Sequence, residues 1–355
     1  MTPPGRRTAL ARTFLAYGVT VLLLILGIWY ANAHQQELAV LRQLGPGQLL
    51  GLVACMLAFF VTTGVTTKLL LATVSVRLRA IEWLTLPFLG QFANYLLPTR
   101  PGAAVKAVYL KSTHTVPYAR FLAVLAAHGL LILFSSGVLG FLLLLSMWIE
   151  TGIFSWTLAA VFWAIIGLSV LPLIVRLKLL PWVSGGGRLA RISREAISGF
   201  ETIRSQGRML LAVSASLLCQ YLAVAVFFTA AYRMLGIDIG FHAALMAGVF
   251  TAIAAFFTIT PSNLGIQELM IAYFYTTIGL DFTSGLIGAG LFRALHIALT
   301  FGLTPILTYA LVRSAGIPLG AILRPGKRGL SDELPAPSTT KTPSTSETPS
   351  TSETQ

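Results

Sequence analysis

The chain has 355 residues, 55% of them hydrophobic and only 10% charged, with a mean hydropathy of +0.80. Soluble domains are about a quarter charged, so a water-soluble globular protein is excluded, and the 32 Gly, 17 Pro and 10% aromatics exclude a coiled coil, a fibre and a disordered chain. The net charge of +13 reads, in a chain this apolar, as the basic inner face of a membrane protein rather than a nucleic-acid site.

A transmembrane helix needs about 20 mostly apolar residues. Residues 1–13 form a basic N-terminus, and the first stretch that qualifies is 14–31. Ala31-Asn32-Ala33 gives it a rival reading as a signal peptide, but its apolar core is longer than the usual signal core, which favours a retained helix. Stretches 48–70, 118–148, 155–175 and 209–235 also qualify, as does 283–312 if Arg293 is tolerated within it. Three shorter apolar pieces, 84–97, 241–259 and 264–279, begin or end at Pro-Gly motifs, the pattern of re-entrant segments.

Outside the bilayer the longest segments are 176–208 and 325–355. The first is basic, with Gly185-Gly186-Gly187 opening an amphipathic stretch that would lie on the inner leaflet. The second repeats Thr-Pro-Ser-Thr-Ser-Glu and is expected to be disordered. Cys55 and Cys219 both lie in apolar runs, so no disulfide framework is expected.

Orientation follows from Lys and Arg. Six helices, a cytoplasmic N-terminus and two hairpins (84–111 and 241–279) returning to their own sides put 22 of the 25 basic residues inside. Arg42 and Arg233 fall outside, and Arg293 lies within the bilayer. The predicted fold is therefore an all-α polytopic membrane protein: about six transmembrane helices over 14–324, plus two oppositely inserted re-entrant hairpins forming an inverted repeat. Both termini are expected in the cytoplasm of a bacterial or archaeal cell.

The hairpins echo each other. A shift of 163 residues puts Pro98 on Pro261, Thr99 on Ser262 and Gly102 on Gly265. Paired, interrupted segments of opposite insertion build midplane sites in transporters. Pro removes an N–H and is expected to end the incoming helix, Gly permits the turn, and the helix that restarts presents free N–H groups to an anion. Arg100, Lys106 and Lys111 surround the first break. Arg100 and Lys106 are candidate phosphate contacts, whereas Lys111 reads as inner-face charge.

With loops and tail set aside, Glu268 and Arg293 are the charges expected inside the bilayer, where charge is costly and marks function by default. Asn263 is expected to cap the helix that carries Glu268. Arg293, His296 and Thr300 share one helix face. A structural ion pair and a ligand site are both open readings of Glu268 and Arg293. His128 reads as a core histidine. No spacing supports a metal site, a cofactor or an acid–base pair, so no enzymatic activity is expected; a membrane-embedded transferase is a third reading, disfavoured because only one intramembrane carboxylate is available.

Asn94-x-x-x-Pro98-Thr99-Arg100-Pro101-Gly102, with Lys106 after it, resembles the first motif of the lysylphosphatidylglycerol synthetase transmembrane domain family, also called flippase-like membrane proteins. Pro261-Ser262-Asn263-Leu264-Gly265-Ile266-Gln267-Glu268, with Arg293 further on, resembles its second motif. Ser262, Asn263 and Gln267 stand where that motif has Gly, Gly and Arg, and Ala103 stands where the first has an acid. The resemblance implies a lipid-handling membrane protein without the family's soluble aminoacyl-transferase domain. The expected function is translocation of a phospholipid or of a polyprenyl- or terpenoid-linked headgroup, with membrane lipids as partners and no nucleic acid. The alternative is a non-catalytic membrane anchor for a soluble glycosyl- or aminoacyl-transferase. The expected substrate-binding residues are Asn94, Pro98, Arg100, Gly102, Lys106, Pro261, Asn263, Gly265, Glu268, Arg293 and His296.

Overall fold

The computed structural model describes residues 45–96, 101–152, 154–174, 205–257 and 260–315. The predicted span at 14–31, most of the 176–208 loop and the tail at 325–355 lie outside them. The described residues form nine α-helices: α1 (Pro46–Thr73), α2 (Ala80–Leu96), α3 (Gly102–His114), α4 (Tyr118–Thr151), α5 (Trp156–Ile174), α6 (Gly207–Met234), α7 (Phe241–Ala254), α8 (Ile266–Thr277) and α9 (Phe282–Ala315). A single 3-10 turn, Pro261–Asn263, lies between α7 and α8.

Local chemistry sets several of these bounds. Pro46 opens α1 where a missing N–H costs nothing, and the Gly45 N–H is taken by Gln48 Oε1 at 2.9 Å. α4 follows Pro117 and stops at Gly152, whose φ of 72° is left-handed. α1, α4, α6 and α9 are long and apolar enough to cross a membrane. The molecule is an all-helical, polytopic integral membrane protein.

The helices repeat. α1 to α4 have 28, 17, 13 and 34 residues, and α6 to α9 have 28, 14, 12 and 34. The offsets between their starts bracket the shift of 163 read from the motifs, since 207 − 46 and 241 − 80 give 161 while 266 − 102 and 282 − 118 give 164. α5 stands outside the repeat. Packing is reciprocal: α1 lies against α6, α2 against α9 of the other half, and α7 against α4.

Side-chain contacts give the directions. Gln206, ahead of α6, donates to the Thr73 carbonyl at the end of α1 at 2.9 Å, and Ser216 bonds Thr66 at 2.9 Å further along. The two helices are therefore antiparallel. α2 and α9 are antiparallel as well, since Arg79 reaches the Ser314 carbonyl, Thr85 the Leu307 carbonyl and Tyr95 the His296 ring.

Lipid tails are as apolar as leucine, so association in a bilayer rests on close packing and small residues. Pro87 in α2 lacks the N–H that would engage the Trp83 carbonyl four residues back. That carbonyl faces Gly64 of α1, where a Cβ would stand only 2.5 Å away. At Gly285 of α9 a Cβ would stand 2.7 Å from the Ala272 Cα of α8. Each glycine thus fixes a helix crossing that any larger side chain would open.

Candidate functional site

α2 and α3 pack as a hairpin whose tip is drawn tight by glycine. A Cβ on Gly102 would lie 2.1 Å from the Gly90 carbonyl oxygen, so only glycine allows this approach. Asn94 closes the tip by accepting the Gly102 N–H at 2.8 Å. Gly90 also makes room for Lys106: a Cβ there would meet its Cε at 2.4 Å, so the lysine stem lies across the glycine. Pro98 and Arg100 lie outside the described residues.

The second tip is built by backbone turns. Ser262, Asn263 and Gly265 take φ of 50°, 59° and 86°, all left-handed. Such a run costs non-glycine residues roughly 1–2 kcal/mol each. It also corrects two expectations. α7 ends at Ala254, well before Pro261, so the proline does not stop that helix. Nor is Asn263 the N-cap of α8. Gly265 holds that place, because a left-handed Asn263 sits too far back in the turn, and its Nδ2 donates instead to the Ala254 carbonyl, which also accepts the Phe257 N–H at 3.0 Å. Glu268 Oε2 accepts the Gly265 N–H at 2.8 Å.

Arg293 joins the two tips. It sits with His296 in the middle third of the 34-residue α9. Its Nε donates to Glu268 Oε1, and its Nη2 donates to Gln267 Oε1 at 2.8 Å. Nη1 reaches the Ser262 carbonyl and the Tyr95 hydroxyl, each at 3.1 Å. Tyr95 belongs to the first hairpin and shares a 2.8 Å hydrogen bond with His296 Nδ1. The His296 ring in turn stacks on Phe60 of α1, with centroids 5.0 Å apart. Every donor face of the guanidinium is used.

Beside this node opens a cavity of about 230 Å³. The first hairpin contributes Gln91, Asn94 and Lys106; the second contributes Thr251, Ser262, Asn263 and Gln267. Gln220 comes from α6, Arg293 and His296 from α9, and Phe59, Phe60 and Phe292 supply an apolar wall. Polar amides, one lysine and aromatic faces suit an amphipathic group.

Of the residues expected to bind substrate, Asn94, Lys106, Asn263, Arg293 and His296 line the cavity, while Glu268 holds Arg293 from behind. Gly102 and Gly265 act as backbone, and Pro261 belongs to the 3-10 turn. Sequence reasoning missed Tyr95, Gln91, Gln220 and Gln267. A lone glutamine inside the apolar 209–235 run was the available signal for Gln220.

One buried charge also went unforeseen, which corrects the expectation that Glu268 and Arg293 stand alone. Glu82, in the first turn of α2, is 1% exposed. It accepts from Tyr109 at 2.8 Å, pairs with His114 Nε2 at 3.0 Å and takes the Arg79 N–H at 2.6 Å, binding together the two feet of the first hairpin. Lys111 lies 5.0 Å over the Tyr118 ring, outside the cavity.

A family model described as the lysylphosphatidylglycerol synthase TM region matches residues 14–304. No curated protein and no solved structure matches the chain.

Proposed function

The chain belongs to the lysylphosphatidylglycerol synthase TM-region family, and on that premise we propose that it carries a lipid headgroup across the membrane through the cavity between the two hairpin tips. The observation that carries this reading is the convergence of the tips. One hairpin runs along α9 from the Ser314 end up to His296, and the other meets the same helix at Arg293 from the Phe282 end. α2 and α3, at 17 and 13 residues, and α7 and α8, at 14 and 12, are each shorter than the roughly 20 residues a bilayer needs. They act as re-entrant pieces, 84–111 from the cytoplasm and 241–279 from outside. Irregular backbone at that depth is tolerated where it lines a hydrated cavity.

The headgroup sits among the polar side chains while the acyl or polyprenyl chains stay in the lipid. Membrane potential, worth about 2.3 kcal/mol per charge per 100 mV, can bias a charged headgroup.

Reconstitution tests the reading. Purified full-length protein in vesicles is expected to speed loss of a fluorescent phospholipid from the inner leaflet to an outside quencher, and Arg293→Gln to abolish the gain at equal protein incorporation. Vesicles indistinguishable from protein-free controls, with a soluble transferase co-purifying, would replace translocation with the anchoring role.

A further inference from the structure

The cavity holds one positive charge, Lys106, that no described residue balances. Arg293 is neutralised by Glu268, whose second oxygen is spent on the Gly265 N–H. Lys106 makes no ion pair or hydrogen bond within the described residues. The other carboxylates among them are engaged elsewhere: Glu82 with Tyr109 and His114, Glu150 with His242, Asp238 with Arg233, and Asp281 with Ser284. An ammonium held at membrane depth without a counter-charge is costly, and an anion in the cavity would offset it.

A second observation lies across the cavity. The Ser262 hydroxyl is buried, with the residue 6% exposed, yet it has no hydrogen-bond partner. A buried donor left unmade costs about 1–3 kcal/mol. Gln220 lines the same cavity from α6.

From these groups we propose that the cavity selects a lipid whose headgroup is a phosphodiester monoanion carrying an uncharged, hydroxyl-bearing substituent, and that it rejects the aminoacylated, cationic form. Lys106 takes the phosphate, and Ser262 and Gln220 take the hydroxyls. Neutral amides and hydroxyls can donate and accept, which fits a polyol. A lysyl ester adds two ammonium groups, and no carboxylate lines the cavity among the described residues. Rejection then comes from unpaired like charge rather than size. This specificity rests on the cavity being the headgroup site.

Binding of short-chain phosphatidylglycerol, its lysyl ester, phosphatidylcholine and water-soluble glycerophosphoglycerol to the detergent-solubilised full chain, by titration calorimetry, tests it. Phosphatidylglycerol is expected to bind at least about tenfold more tightly than the lysyl ester, with Lys106→Met removing that preference and Lys106→Arg keeping it. Ser262→Ala is expected to weaken phosphatidylglycerol several-fold. Equal or tighter binding of the lysyl ester, or a preference untouched by Lys106→Met, overturns the assignment. Binding of glycerophosphoglycerol as tight as that of the lipid keeps the phosphodiester chemistry and makes its source a free headgroup. The two readings fail separately: a selective binder inert in vesicles loses translocation but keeps the specificity, and vesicles that move both lipids equally do the reverse.

Discussion

Arg293 gives all its donors to Glu268, Gln267, Tyr95 and the Ser262 and Asn263 carbonyls. Removing one member of a buried pair strands the other, at a cost of about 3–5 kcal/mol. Arg293→Gln is therefore expected to destabilise the protein by that order, and adding Glu268→Gln to recover a large part of it. A double-mutant cycle of unfolding in detergent measures the recovery, and strictly additive losses would show that the pair is not coupled. Ser262 offers the opposite case. With φ at 50° and an orphaned hydroxyl, Ser262→Gly is expected to raise stability by about 1 kcal/mol while weakening lipid binding. Stability gained with binding unchanged would mean that the strain serves no ligand. The sequence pointed to Glu268 and Arg293 because charge in an apolar run is conspicuous. Tyr95 was invisible because its importance comes only from being brought to Arg293, and Gln267 showed only as a departure from the second motif, without a role.

The first hairpin depends on backbone contact between α2 and α3, with no space at Gly102 for even a methyl group. Gly102→Ala is expected to part the helices, costing about 1–3 kcal/mol and pulling Asn94 and Lys106 out of register with the second tip. Measured in vesicles, translocation should fall while the Glu82 cluster at the feet keeps the hairpin attached and the protein expressed; full activity in Gly102→Ala would remove the tip from the site. At this scale the sequence was informative, because Pro and Gly mark breaks wherever they fall. It marked the two breaks and the approximate offset between the halves. It erred in detail at the second break, where α7 stops at Ala254 and the chain turns through Ser262 and Asn263 before Gly265. Such a turn is set by tertiary contacts, among them Arg293 on the Ser262 carbonyl, and no local propensity reports them.

Among the described residues basic side chains gather toward one end of the bundle, the kind of asymmetry the positive-inside rule describes. Lys68, Arg77, Arg79, Lys111, Arg120, Arg208 and Arg313 lie toward the end of the bundle where α1 finishes and α6 begins, and Arg233 is the basic residue at the opposite end among the described residues. Two halves of matching helix lengths, packed antiparallel, follow from an even number of crossings, α4 and α5, between their first helices. This much could be counted from apolar runs and arginines alone, whereas the cavity between the halves could not. The most direct measurement is labelling of single cysteines at the four hairpin feet, in a chain whose Cys55 and Cys219 are changed to alanine. Arg77→Cys and Thr115→Cys should react with a membrane-impermeant maleimide only once the inner face is opened, and Asp238→Cys and Asp281→Cys in intact cells. If the two feet of either hairpin label from opposite faces, that segment crosses the bilayer and the meeting of two half-membrane tips is wrong.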